Sequence, residues 1–291
     1  MTFAPMAAGQ PTALVTGAGR GIGRSCALAF RREGWRAVAG VRDVAAAEAE
    51  YAGTGVHVTR LDVADAASVA EGVAAAERHA GGPLACLVSN AAYAVLGAVE
   101  DADLGEVRAM FETNVFGAAA VLQRVLPAMR DAGGGSAVFV SSIGARLVHP
   151  LLGMYHASKY ALSAIAEALA VEGGPFGIRV SVVEPGMVDT DFPRAVRPTG
   201  AAPRGEGPYV ELLASLRGGF AAWRREHPTG PEVVAAAVVA AALDPDPPFR
   251  IPVGEDARTL GALREGAADD RAVHDALLGF VGIDWPRRPP A

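Results

Sequence analysis

The sequence predicts an α/β protein in which a doubly wound, mostly parallel sheet of about seven strands carries helices on both faces. Short apolar runs of strand length alternate with longer segments of helical periodicity along most of the chain. A glycine-rich segment follows the first apolar run and opens the first helix. The 291 residues are 51% hydrophobic and 20% charged, so the chain can bury a large core within one domain, residues 1–291.

The first three predicted elements form a strand–helix–strand unit. The first strand covers Thr12–Thr16, the helix ends at Gly34, and the second strand covers residues 35–41. Before the helix stand the glycines of a G-x-x-x-G-x-G pattern, Gly17, Gly21 and Gly23. Glycines there let the backbone approach a pyrophosphate, and the helix N-terminus adds free N–H groups and a positive dipole end. The unit predicts a Rossmann-type dinucleotide-binding domain.

The end of the second strand indicates which dinucleotide binds. An acidic side chain there would bond both ribose hydroxyls and select NAD, whereas an arginine would meet the 2′-phosphate of NADP. Here the neutral Val41 is followed by Arg42, and Arg20 in the glycine segment adds a second guanidinium. Asp43 is expected to cap the next helix. We therefore expect NADP(H) to be preferred over NAD(H); the alternative is that both arginines are solvated surface.

The remaining chain continues the alternation of strands and helices. Further strands are predicted over residues 56–60, 84–88, 137–141, 178–183 and 249–253. Further helices are predicted over residues 65–80, 103–130, 155–171 and Pro231–Leu243. The helix over 155–171 is apolar on two sides and so needs a second packing partner besides the sheet.

Three other segments receive separate predictions. Asp62, at the end of the third strand, could accept a hydrogen bond from an adenine amino group or cap the following helix. Prolines and glycines interrupt residues 187–225, and a loop of that length in a compact domain predicts a mobile substrate lid. Residues 254–291 form a C-terminal extension of two short helices and the proline-rich tail DWPRRPPA.

The segment from Val140 to Leu162 carries candidate acid/base residues. Tyr155 and Lys159 are four residues apart, which puts both side chains on one face of a helix, although this spacing is also common on helix surfaces. Lys159 is the only lysine in the chain. An ammonium beside a phenol favours the phenolate, so we expect a lowered pKa for Tyr155 and proton exchange with a carbonyl or alcohol oxygen. Ser142 could hydrogen-bond the same oxygen.

Together these motifs resemble the compact, single-domain short-chain dehydrogenase/reductases over about residues 12–190. The matching motifs are Thr16-Gly17-x-x-x-Gly21-Ile22-Gly23, Asp62-Val63, Asn90-Ala91, Asn114, Ser142, Tyr155-x-x-x-Lys159 and Pro185-Gly186-x-x-x-Thr190. Ser142 precedes Tyr155 by 13 residues, the interval that this family uses. One position departs from the family pattern: Ala92 stands where a glycine is usual, which adds a methyl group near cofactor and substrate.

The resemblance implies catalytic roles for four residues. Tyr155 would be the general acid/base, and Ser142 would orient the substrate oxygen. Lys159 would lower the pKa of Tyr155 and hold the nicotinamide ribose. Asn114 would kink its helix and support a water that leads protons to Lys159. The family commonly assembles through its two long helices, so a homodimer or homotetramer is expected.

The resemblance also implies the cofactor contacts. Asn90 would lie by the adenosine ribose, and Val188 with Thr190 would meet the nicotinamide carboxamide. The full set of expected cofactor-binding residues is Thr16, Gly17, Arg20, Gly21, Ile22, Gly23, Arg42, Asp62, Val63, Asn90, Ala91, Lys159, Pro185, Gly186, Val188 and Thr190.

The expected substrate pocket is mostly apolar, which favours a hydrophobic ketone or alcohol over a sugar or hydroxy acid. Its lining residues are predicted to be Tyr93, Val95, Leu147, Val148, His149, Leu152, Met187 and Phe192. His149 could touch the substrate, whereas His156 is expected to point elsewhere on its helix. The predicted function is NADP(H)-dependent interconversion of a carbonyl and a secondary alcohol. The alternatives are NAD-dependent alcohol oxidation and a nucleotide-binding sensor, which would not need the acid/base residues.

Composition argues against other classes of partner. A net charge of −6 and a pI of about 5.6 disfavour a nucleic-acid groove or an anionic membrane surface. No apolar stretch reaches the about 18 residues of a membrane span, and residues 1–11 lack the basic start of a signal peptide. Cys26 and Cys86 stand in apolar runs without metal-ligand spacing, so no metal site is expected. These features predict a soluble, cytoplasmic protein.

Overall fold

The computed structural model of the protein describes residues 10–190, 192–280 and 282–283. The predictions for residues 1–9 and for the tail over 284–291 lie outside this range. The elements in chain order are β1 (Thr12–Thr16), α1 (Gly21–Arg32), β2 (Arg36–Val41), α2 (Val44–Tyr51), β3 (His57–Arg60), α3 (Ala66–Ala80), β4 (Cys86–Ser89), β5 (Ala94–Leu96), α4 (Leu104–Phe111), α5 (Gly117–Asp131), β6 (Gly135–Val140), α6 (Gly153–Gly173), β7 (Ile178–Pro185), β8 (Val196–Pro198), α7 (Val210–Glu226), α8 (Pro231–Leu243), β9 (Arg250–Val253), α9 (Glu255–Gly266) and α10 (Asp270–Phe280).

The central sheet is doubly wound, as predicted. Within the described residues it has seven strands in the order β3-β2-β1-β4-β6-β7-β9, and every neighbouring pair is parallel. The chain builds outward from β1 to β3, then returns to the centre and builds the other half from β4. A crevice forms at the carboxyl ends of β1 and β4, where the strand order reverses, and such crevices bind ligands in open α/β sheets.

Helices cover both faces of the sheet because neighbouring side chains in each strand point to opposite sides. Val15 in β1 packs in a core with α1 and α8, which includes Phe30 and Val238. Its neighbour Leu14 packs in the opposite core with α3, α5 and α6, which includes Leu162. Cys26 and Cys86 are buried, free thiols of the first core. None of the described helices is long and apolar enough to cross a membrane.

Aspartates begin two of the helices at predicted positions. Asp43 caps α2 by accepting a hydrogen bond from the Ala46 N–H at 3.1 Å. Asp65 caps α3 in the same way through two N–H groups. Asp62, for which a capping role was an alternative, instead accepts from the Ala64 N–H at 3.1 Å, before the helix begins.

The prediction of an irregular lid over residues 187–225 is partly wrong. β8 pairs in parallel with β5 to form a second, two-stranded sheet, and α7 is a regular helix of 17 residues. Three leucines of α7 are buried beside α10, Leu212, Leu213 and Leu216. The packing of this apolar face outweighs the weak helix propensity of Gly218 and Gly219 in the middle of α7.

Candidate active site

The glycine segment is fixed to β4 through Thr16 and Asn90. The Thr16 hydroxyl accepts from the N–H groups of Asn90 (3.0 Å) and Ala91 (3.2 Å) and donates to the Val88 carbonyl at 3.3 Å. The Asn90 amide donates in turn to the carbonyls of Thr16 (2.9 Å) and Gly17 (3.2 Å). The motif residues Thr16 and Asn90 therefore hold the two walls of the crevice together.

At two positions the walls of the crevice lie too close together for any residue larger than glycine. Gly17 has a φ of +64°, and a β-carbon there would lie 2.7 Å from the Ala91 Cα. A β-carbon at Gly23 would lie 2.5 Å from the Asn90 Nδ2 atom. The predicted nicotinamide contact Thr190 reaches the same segment, since a β-carbon at Gly21 would be 3.6 Å from its Cβ. The predicted adenosine and nicotinamide contacts thus border one crevice.

The N-terminus of α1 suits an anionic ligand. Among the described residues, no side chain caps this helix, and its first turn contains no acidic residue. Its first N–H groups and the dipole of α1 can therefore stabilise a pyrophosphate, and the glycines leave room for one. These features fit the expected dinucleotide.

Both predicted phosphate-binding arginines are exposed near the end of β2. In the part of the chain that the structure describes, neither Arg20 nor Arg42 forms a hydrogen bond or salt bridge through its guanidinium. Val41 is buried, and its Cγ1 atom is 3.9 Å from a β-carbon built at Gly19, so the end of β2 borders the glycine segment. By contrast, Arg24 in α1 pairs with a glutamate of α2. Arg20 and Arg42 are free to meet a ligand.

The structure brings Ser142, Tyr155 and Lys159 together at the carboxyl end of β6. The Ser142 side chain lies beside the Tyr155 hydroxyl and acts to lower its pKa. The Ser142 oxygen also accepts from the Gly144 N–H at 3.0 Å, which holds its side chain in place. The Lys159 ammonium lies 6.0 Å from the centre of the Tyr155 ring and donates to the Val140 carbonyl at 3.1 Å.

The expectation of a lowered pKa for Tyr155 is wrong for this structure. Burial raises the pKa of Tyr155 to about 12, and the hydrogen bond from Ser142 only partly opposes this effect. Burial also lowers the pKa of Lys159 to about 8. Desolvation penalises the charged form of each group, and it outweighs the attraction expected between the phenolate and an ammonium 6.0 Å from its ring centre.

Asn114 interrupts its helix, as the resemblance implied. It lies in a π-helical segment, Glu112–Phe116, between α4 and α5, and only 1% of its surface is exposed. Its side chain accepts from the Tyr93 N–H (3.0 Å) and donates to the Tyr93 carbonyl (2.9 Å) and the Ser158 hydroxyl (3.0 Å). Ser158 in turn donates to the Tyr155 carbonyl at 2.7 Å. Asn114 therefore fixes the helix that carries Tyr155, and π-segments are frequent at such sites.

Sequence reasoning missed the role of His156. Its buried ring accepts from the His149 N–H at 3.2 Å, which leaves Nδ1 as the donor to the Gly144 carbonyl at 2.9 Å. Burial lowers the pKa of His156 to about 4, so the ring is neutral near pH 7. A β-carbon at Gly144 would overlap this ring. His156 thus binds both ends of the loop that follows Ser142, a contact that no local sequence signal indicated.

The structure places only some of the predicted pocket residues near Tyr155. Val95 packs beside Tyr155, and the Phe192 ring lies 6.0 Å from the Tyr155 ring. His149 is buried with its ring edge against Phe220 of α7. Leu147 does not join them, because its side chain is buried against α9 and α10. Of the other predicted residues, Val148 is exposed. The remaining three are half-buried: Tyr93, Leu152 and Met187.

The buried Lys159 predicts a specific pH dependence of stability. Its pKa falls from 10.5 to about 8 on burial, so between these values the unfolded chain binds a proton that the folded chain does not. The free energy of unfolding must therefore rise with pH in this window. We expect the stability of the wild type relative to Lys159→Met to improve by about 2 kcal/mol between about pH 7.5 and 9.5.

Urea denaturation of both proteins at several pH values measures this difference. Tyr155 and the other titrating groups are present in both chains, so their contributions largely cancel. A difference that stays constant over the window would show that the Lys159 pKa is not lowered.

The chain is similar to known proteins over most of its length. Residues 11–200 match the family model described as short chain dehydrogenase. The 3-ketodihydrosphingosine reductase of Bacteroides thetaiotaomicron is 32% identical over 272 residues, which cover 93% of this chain and 97% of that protein. A short-chain dehydrogenase structure from Streptomyces avermitilis has a TM-score of 0.77 and 32% identity, with 93% of this chain and 98% of that chain covered.

A second solved structure has a bound nucleotide. It is a short chain dehydrogenase from Burkholderia cenocepacia in complex with NADP, with a TM-score of 0.72, 25% identity, and coverage of 93% of this chain and 98% of that chain. The family model spans more than half of the residues, and the Bacteroides relative aligns over almost the whole chain. This chain is an oxidoreductase of the short-chain dehydrogenase/reductase family.

Proposed function

We propose that this protein is an NADP(H)-dependent oxidoreductase that interconverts a hydrophobic ketone and the corresponding secondary alcohol. The observation that carries the proposal is the grouping of Ser142 and Tyr155 beside the buried Lys159, at the end of the crevice that the glycine segment borders. A sensor that only binds nucleotide would have no need for this set of residues.

The phenol of Tyr155 is the proton donor in the reductive direction. Near pH 7 its phenol is protonated, so it can donate a proton to a carbonyl oxygen that Ser142 also hydrogen-bonds. Bound NADPH supplies the hydride in this reaction. The pKa of Lys159, about 8, allows this side chain to return a proton to Tyr155 after turnover. Asn114 holds the helix in place while the proton moves.

The preference for NADP(H) rests on Arg20 and Arg42. Both guanidinium groups are unpaired within the described residues. Arg20 belongs to the glycine segment, and Arg42 directly follows Val41, which borders that segment and is not acidic. Guanidinium groups bind phosphate through paired hydrogen bonds. The NADP bound to the Burkholderia relative is consistent with this assignment.

The preference for an apolar ketone rests on the surroundings of Tyr155. Its ring packs against the apolar cluster of Val95, Val107 and Met110 and lies 6.0 Å from the Phe192 ring. The Bacteroides relative is named as the reductase of a keto compound, which agrees with the proposed direction.

We also propose that the protein acts in the cytoplasm as a homodimer or homotetramer. On α6, Tyr160 and Val171 are 41% and 76% exposed, and Phe116, directly before α5, is 58% exposed. Light scattering coupled to size exclusion measures the mass, and a monomer would contradict the proposed assembly.

Parallel fluorescence titrations with NADPH and NADH test the function, followed by turnover assays on a panel of hydrophobic ketones. We expect tighter binding of NADPH and its oxidation in the presence of at least one ketone. Binding of neither nucleotide would overturn the proposal. Nucleotide binding with no turnover on any carbonyl of the panel would favour the sensor.

A further inference from the structure

The turn that follows β7 is fastened to the C-terminal part of the chain. This turn contains Gly186 and the residues up to Thr190, which are expected to face the nicotinamide. The Gly186 N–H donates to the Val253 carbonyl at 3.0 Å, and the Asp189 N–H donates to the Thr229 carbonyl at 2.8 Å. Both hydrogen bonds join backbone atoms, so they do not depend on which side chains stand at these positions.

The third attachment is made by a side chain. Asp256, in the first turn of α9, accepts from the Met187 N–H through Oδ2 at 2.5 Å and from the Ala257 N–H through Oδ1 at 2.9 Å. The residue is only 2% exposed. Both carboxylate oxygens are therefore acceptors in a site that water does not reach, and an isosteric amide could replace only one of them.

The backbone at two glycines packs closely against the Asp256 carboxylate, so this side chain has little room to move. A β-carbon at Gly186 would overlap the Asp256 carboxylate, and one at Gly254 would lie 2.6 Å from Oδ1. A change at Asp256 would therefore move the Met187 amide and the residues directly after it. The segment that carries Asp256 lies beyond residues 11–200, which the family model matches.

Resting on the proposed function, we propose that Asp256 is a positioning residue for the nicotinamide half of NADP(H). By holding the Met187 N–H, it fixes the backbone that presents Val188 and Thr190 to the carboxamide. Within the described residues its side chain accepts hydrogen bonds from the N–H groups of Met187 and Ala257 and from none in the glycine segment, so the adenosine half should bind independently of it.

Two ligands distinguish binding at the nicotinamide half of the site from binding at the adenosine half. NADP⁺ occupies both, whereas 2′,5′-ADP carries the adenosine and the 2′-phosphate but no nicotinamide. We expect Asp256→Asn to weaken NADP⁺ binding about tenfold, because one buried hydrogen bond is lost, and to change 2′,5′-ADP binding by less than about twofold. Calorimetric titration of the wild type and the variant with both ligands measures this ratio.

Glu255→Gln is the matched control. Glu255 is the neighbouring acidic residue of α9, it is exposed, and its side chain pairs with His227 instead of the turn. This variant should bind both ligands as the wild type does. If Asp256→Asn does not fold, Asp256→Ser removes the same carboxylate without introducing an amide and is tested in the same way.

Equal weakening of both ligands in a folded Asp256 variant would overturn the inference, because a general loss of structure affects both halves. Unchanged binding of NADP⁺ would overturn it as well. Wild-type protein that binds neither ligand would overturn the proposed function itself, and this result is seen before any variant is compared.

Discussion

Tyr155→Phe is expected to lower turnover about 10²- to 10⁴-fold while leaving NADPH affinity within about twofold of the wild type. The phenylalanine ring keeps the packing beside Val95 and the approach to Phe192, so the shape of the site is preserved. Only the hydroxyl is lost, and with it the proton donor. Stopped-flow measurement of NADPH oxidation with an active ketone gives the rate, and a fluorescence titration gives the affinity.

Tyr160→Phe provides the control for this experiment. Tyr160 lies on the same helix and also loses only a hydroxyl, but 41% of the residue is exposed. Its substitution should leave the rate unchanged. Turnover of Tyr155→Phe within about tenfold of the wild type would contradict general acid catalysis by this residue.

Arg42→Asp is expected to reverse the nucleotide preference. Loss of a charge-assisted contact to the 2′-phosphate should weaken NADPH about 10- to 100-fold, and the new carboxylate would repel the same phosphate. NADH affinity should change little or improve, because an acidic residue at this position can bond both ribose hydroxyls. Dissociation constants for NADPH and NADH, measured side by side at fixed ionic strength, give the ratio.

Arg32→Asp makes the same change of net charge at the opposite end of α1, far from the crevice. It controls for long-range electrostatic effects on the two nucleotides, which differ in charge. Equal losses of NADPH and NADH affinity in Arg42→Asp would mean that Arg42 does not meet the 2′-phosphate.

Local signals predicted most of the fold. β1 and α8 have the predicted bounds, and Asp43 and Asp65 cap the helices that they were expected to begin. Such features depend on residues within a few positions of each other, so the sequence displays them directly. The order of the motifs also predicted which side chains would meet, since parallel strands bring their carboxyl ends to one edge of the sheet.

The errors concern interactions between distant parts of the chain. The pKa of Tyr155 is raised mainly by desolvation in the folded chain, which its spacing to Lys159 does not reveal. β8 pairs with β5 about a hundred residues earlier, and α7 is helical because its leucines pack on other elements. His156 was expected to point elsewhere on its helix, and its contacts could not be predicted from that position because both partners stand in a loop.

The attachment of the turn after β7 to Thr229, Val253 and Asp256 limits how this protein can be re-engineered. The residues after position 200 build α7 and α10, which would be the natural segment to exchange between relatives in order to change substrate range. The same segment holds the backbone next to Val188 and Thr190. A chimera that replaces it exchanges the supports of the turn after β7 together with the segment proposed to cover the pocket. Substrate choice and nucleotide affinity should therefore change together unless the three attachment points are retained.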